Sequence, residues 1–234
     1  MIALWDENRL WQELLRQEGV SFSAGPGMSG SGVIILNREP GELQAQRIWQ
    51  DIQSGGGLLA SGVNAAAVWL ELRPVAKRVR WIAAEGDSSL FRNIGIVDTE
   101  TRGSLLPEAD VGATDSGAKA ILATPVGRGF RVLLPFDVAK VLSNATSGPK
   151  QFPADTPRFP YDTVARTSRG EVRRLVANSL RFLLARQGLP YVRLASVPIA
   201  DGRSLSTFAF RVDTDFGPRR DLEAVARLAE RVGM

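Results

Sequence analysis

Two aspartates one residue apart, Asp213 and Asp215, sit near the end of the run Phe208-Ala-Phe-Arg-Val-Asp-Thr-Asp-Phe-Gly217. The run reads as a buried strand. A strand alternates its faces with period two, so both carboxylates point the same way from its C-terminal end. Such a pair can divide labour, one carboxylate holding a divalent metal while the other takes a proton from water. The same residues also read as structure. Asp215 can cap a helix starting near Pro218, because its oxygen accepts orphan N–H groups and proline suits a first turn. Spacing alone leaves both readings open.

Histidine and cysteine are both absent from the 234 residues. This removes disulfides, thiolate nucleophiles, imidazole bases and His- or Cys-ligated zinc from the chemistry of this chain. A metal would have to be held by carboxylates, carbonyls and water, which suits magnesium or manganese. The net charge is +4, carried mainly by arginine, with lysine only at 77, 119, 140 and 150. The arginines lie scattered among acids and are not interleaved with aromatics, so no nucleic-acid partner is expected. No stretch approaches the ~20 apolar residues that cross a bilayer, so no membrane partner is expected. The first residues carry no secretory pattern, and a cytoplasmic chain is expected.

The elements that must position these residues follow an α/β pattern. Residues 4–17 read as an amphipathic helix, 32–37 as a buried strand and 41–53 as a second helix. Residues 55–62 read as a glycine turn plus another buried strand, and 64–72 as a third helix capped by Asn64. Further on, 78–84 and 93–97 read as strands and 98–118 as a long polar loop. Residues 118–125 and 129–135 form a hairpin through Val126-Gly-Arg-Gly129. Residues 137–142 make a short helix. Four prolines between 147 and 160 mark a linker. Ser168-Arg-Gly-Glu171 has the pattern of a capping box opening a long helix that ends at Gly188-Leu-Pro190. Residues 191–195 and 208–212 read as strands, and 218–232 as a last helix. The loop Gly25–Gly32 has the composition of a phosphate cradle but no Walker lysine, and reads as flexible. The tryptophans at 5, 11, 49, 69 and 81 read as core rather than as sugar-stacking platforms.

Two family resemblances attach to these residues. The stretch from Ser206 to Met234, built on Phe208-Ala-Phe-Arg-Val-Asp-Thr-Asp-Phe-Gly217, resembles the opening of NodB-type polysaccharide deacetylases. That resemblance implies a (β/α) barrel, with Asp213 as catalytic general base and Asp215 as metal ligand. It also implies two later histidines to complete the metal, and this sequence has none. Val33-Ile-Ile-Leu, a helix, and Gly56-Gly-Leu-Leu-Ala-Ser-Gly62 resemble class I glutamine-amidotransferase-like domains. There a sharp turn carries a nucleophilic cysteine. Here Ser61 or Gly62 stands near that place, with no histidine to activate a hydroxyl.

The expectation is therefore an α/β protein with a flavodoxin-like, amidotransferase-like domain over residues 1–146 and a linker over 147–160. Residues 161–234 would hold a connecting helix and the first β/α unit of an incomplete deacetylase-like barrel. By function this is the N-terminal part of a protein that hydrolyses acetyl groups on a glycan with a divalent metal. The chain itself would be inactive and would hold no metal tightly. The alternative is a non-catalytic binding or interaction protein on a degenerate amidotransferase-like fold. No glutaminase, amidase or esterase activity is expected from residues 1–145.

Overall fold

The computed structural model describes residues 1–25, 32–62, 75–86, 88–143, 147–149, 163–165 and 167–193, together with 223, 224 and 227. The chain divides into two compact units, Met1–Leu194 and Ala195–Met234. In the second unit the three described residues, Glu223, Ala224 and Arg227, are helical. The third helix expected over 64–72, most of the linker, and the strand of Asp213 lie outside the described residues.

Within the first unit, short apolar runs form a parallel half-sheet: β1 (Ile2–Leu4), β2 (Ser23–Ala24), β3 (Val33–Leu36) and β4 (Gly57–Ser61). The sheet continues through β5 (Val75–Ala83), β6 (Ile96–Leu105), β7 (Val111–Thr114), β8 (Lys119–Val126) and β9 (Gly129–Leu134). Among the described residues this makes nine strands in the order β2-β1-β3-β4-β9-β8-β7-β5-β6. β2, β1, β3, β4 and β9 run parallel to one another, while β8, β7, β5 and β6 extend the sheet by antiparallel pairing.

Residues of the central strands alternate between two cores, as period two requires. Val33, Ile35, Leu59, Val132 and Leu134 face α1 (Arg9–Gln17), α3 (Val138–Ser143) and α4 (Arg169–Arg186) in one apolar cluster. Ile34, Leu36, Leu58 and Leu133 pack with Ile48 and Ile52 of α2 (Glu42–Gln53) in the other. Val172, Leu175, Val176, Leu180, Leu183 and Leu184 of α4 are all buried. The first unit thus takes in α4, which the sequence pattern groups with the segment after the linker. A small antiparallel pair, β10 (Ser147–Pro149) with β11 (Thr163–Ala165), brackets the proline-rich stretch.

Several expectations change. Residues 2–4 are a strand, and the helix expected from residue 4 begins only at Arg9, where Asn8 starts α1 by accepting the Trp11 N–H at 3.1 Å. A three-residue buried strand is too short for periodicity to separate it from the helix that follows. The polar stretch 98–118 is largely strand. β6 pairs along its length with β5, and β7 with β8, so backbone pairing overrides polar composition. Residues 191–193 are irregular rather than extended. The capping box at 168–171 does not form. Ser168 Oγ instead accepts the Asp98 N–H at 2.7 Å, and the Glu171 carboxylate is taken by Arg174.

The β8–β9 hairpin closes as its glycines suggest. Gly127 takes a positive φ of 56° in the turn. Gly129 lies so close to the backbone that a Cβ there would sit 2.1 Å from the carbonyl oxygens of Gly56 and Ile52.

Candidate functional site

The chain leaves β1 through α1 to reach β2 on one side. From β2 it returns to β3 on the other side of β1, and α2 then lies on the opposite face from α1. Where successive connections part to opposite faces of an open sheet, the strand ends leave a crevice at their carboxyl side. A cavity of about 480 Å³ lies there, lined by Trp5, Asp6, Glu7, Asn8, Gly25 and Arg38. Trp5 to Asn8 directly follow β1. Gly25 follows β2 with φ of 109°, and Arg38 stands two residues beyond β3. Trp11 Nε1 donates to Asn37 Oδ1 at 2.8 Å and ties α1 to the loop after β3.

Asp6 is the unusual member. It is 8% exposed, yet its Oδ1 has no hydrogen-bond partner among the described residues. Among the described residues Oδ2 has Arg38 Nε as its ion-pair partner, 3.9 Å away on a side chain that is 73% exposed. At that distance, with the guanidinium largely in water, the pair is weakly coupled. A buried carboxylate oxygen without a donor costs free energy until a donor arrives. Asp6 Oδ1 is thus an acceptor open to a donor that enters the cavity. Trp5, half-buried against the α2-side core, adds an apolar edge.

Ser61 ends β4 and is 2% exposed. Its Oγ accepts the Val138 N–H at 2.8 Å and so pins the start of α3. Asp213 and Asp215 lie outside the described residues, as does any metal geometry around them. Among the described residues, no group of three or more acidic side chains is placed to hold a metal. Sequence pattern misses Asp6 because it runs one helix through residues 4–17. The available signal is Ile2-Ala-Leu4 followed by Asp6-Glu7-Asn8, an apolar triplet and then an N-cap.

No family model matches this chain, and no curated protein matches it. Solved structures of similar fold include a cold-adapted β-galactosidase from Rahnella sp. R3. It is 11% identical over 86% of this chain and 32% of that one, with a TM-score of 0.53. A β-galactosidase from Bacillus circulans sp. alkalophilus is 10% identical over 81% of this chain and 31% of that one, with a TM-score of 0.51. The exo-β-1,4-mannosidase Op5Man5 from Opitutaceae bacterium strain TAV5 gives 14% identity over 60% and 32%, with a TM-score of 0.44. The chain spans about a third of the length of these enzymes. These findings correct the two resemblances. The two structures above with a TM-score over 0.5 are β-galactosidases, not amidotransferases or NodB-type deacetylases. The reading of this chain as the start of a deacetylase falls with them, while Asp213 and Asp215 themselves lie outside the described residues. At such identity the likeness establishes the α/β fold. Among the described residues, no helix is long and apolar enough to cross a membrane.

Proposed function

We propose that this chain is a sugar-binding α/β domain with a flavodoxin-like parallel half-sheet, holding a neutral sugar in the crevice beyond β1 and β3. The observation that carries this reading is the buried Oδ1 of Asp6 in the wall of that cavity, which has no hydrogen-bond partner among the described residues. A sugar presents several hydroxyl donors to a carboxylate and an apolar C–H face to an aromatic ring. Asn8 and Arg38 supply further polar contacts at the rim. The cavity volume lies within the ~300–1,000 Å³ typical of small-molecule sites. The parallel order β2-β1-β3-β4-β9 supports the flavodoxin-like description, because that arrangement places its ligand at this switch point. Because structural neighbours are named β-galactosidases, galactose is the first ligand to try, with mannose as a second neutral hexose.

The test is calorimetric titration of the chain with galactose and with mannose. One of them should bind saturably. Asp6→Asn keeps the shape of the side chain and removes its charge. A hydrogen bond to a charged group contributes about 1.5–3 kcal/mol, so affinity should fall by roughly 10- to 150-fold. Absence of saturable binding by both sugars, or equal affinity in Asp6→Asn, would refute the reading.

A further inference from the structure

Five of the arginines that look scattered in the sequence are gathered in the fold. Arg92, Arg173, Arg174, Arg181 and Arg193 line one cavity of about 330 Å³, and Glu18 is the only carboxylate among the described residues of its wall. This cavity shares no lining residue with the crevice beyond β1 and β3.

Charge accounting shows what the cavity lacks. Glu18, 8% exposed, serves two arginines. Arg173 Nη2 and Nε reach its Oε1 at 2.9 and 3.2 Å, and Arg193 Nη2 lies 3.6 Å from Oε2. Arg174 binds both oxygens of Glu171, which stands outside the cavity wall. Arg92 and Arg181 have no carboxylate partner among the described residues. Five guanidinium groups thus face two carboxylates, leaving three positive charges of a chain whose net charge is +4. Like charges lining one cavity repel, and an anion among them offsets that repulsion.

The cluster is also held in place. Arg173, Arg174 and Arg181 project from α4 at spacings that share one side of a helix. Between them Asn178, 2% exposed, donates from Nδ2 to the carbonyls of Leu90 and Arg92 at 3.0 and 2.9 Å. That fixes the turn carrying Arg92 against α4. The Arg181 guanidinium stacks 4.8 Å from the centre of the Tyr191 ring. Guanidinium groups with fixed orientations match the oxygens of a phosphate group in pairs. The first turns of α4 carry Arg169, Arg173 and Arg174, and basic residues there oppose the helix dipole. A bound anion removes that conflict too.

We propose that this cavity binds a phosphate group, either free phosphate or the phosphate of a small monoester, with Arg92 and Arg181 as two of its direct ligands. Calorimetric titration of the full chain with inorganic phosphate and with glycerol 3-phosphate tests this. Saturable binding of at least one is expected, and tighter binding of glycerol 3-phosphate would identify the monoester as the source. Arg92→Gln and Arg181→Gln should each weaken binding by about tenfold or more. Arg80→Gln, which removes a partner of Asp115 away from the cavity, should leave it unchanged. Arg92 lies in an exposed turn, so its variant keeps the test valid if Arg181→Gln folds poorly. Absence of saturable heat with both probes, or wild-type affinity in Arg92→Gln, would overturn the proposal. So would binding of a single-stranded oligonucleotide that neither small phosphate displaces.

Discussion

Asp6 and Tyr191 are both polar groups that the fold buries without completing. The Tyr191 hydroxyl has no hydrogen-bond partner among the described residues. Burial, and then the Glu18 carboxylate, push its pKa above the ordinary phenol value, against the opposing pull of Arg181 and Arg193. The folded chain therefore keeps this proton to higher pH than the unfolded chain, whose phenol ionises at about 10. The associated stability is fully present below pH ~10 and is lost as pH rises toward the higher folded value. Urea melts at increasing pH should show stability falling above pH ~10 in the wild type. Tyr191→Phe should flatten that fall. An identical alkaline loss in both chains would show that other groups cause it.

Between elements, single hydrogen bonds join segments far apart in sequence. Ser61 at the end of β4 holds the first turn of α3, 77 residues away, through the Val138 N–H. Ser61→Ala leaves that buried donor unpaired, and an unmet buried donor costs about 1–3 kcal/mol. Chemical denaturation should show a loss of this size. Unchanged stability would mean that α3 is anchored by packing alone. The same contact explains why a serine stands at a turn whose residues suggest a nucleophile. With no histidine in the chain, its oxygen is committed to the backbone. Ser168 behaves alike: it serves the backbone of β6 instead of capping α4, because Asp98 is brought within reach only by the fold.

At the scale of the molecule, α4 decides where the first unit ends. Its apolar residues are buried in the cluster shared with β3, β4 and β9, and Arg193 beyond it donates to the Glu18 carbonyl at 2.8 Å. Residues 1–194 should therefore fold without the rest. A chain ending at Leu194 is expected to melt in one cooperative transition, with denaturant slope in proportion to its size. A chain ending at residue 146 exposes the face that α4 covers and should fail to melt cooperatively. Cooperative unfolding of the shorter chain would place the boundary at the proline-rich stretch after all.

Local pattern was enough for much of the scaffold. The buried runs at Val33–Leu36 and Gly57–Ser61, the helix over Glu42–Gln53, the glycine hairpin at 126–129 and the long apolar helix after Ser168 all announce themselves through composition and period. Composition by itself also bounds the chemistry, since a chain without histidine and cysteine has neither imidazole nor thiol to offer. What the sequence could not set out was each feature that depends on distant partners. β6 and β7 exist because their backbones find β5 and β8, despite polar residues that read as loop. Asp6 became a candidate ligand only because β1 pairs between β2 and β3 and carries it to a crevice. Arg92, Arg173 and Arg193 lie up to 101 residues apart in the chain, and only the packing of α4 against the turn after Phe91 brings them to one cavity. Period and propensity act over a few residues, whereas burial and charge gathering follow from contacts that the chain makes only when folded.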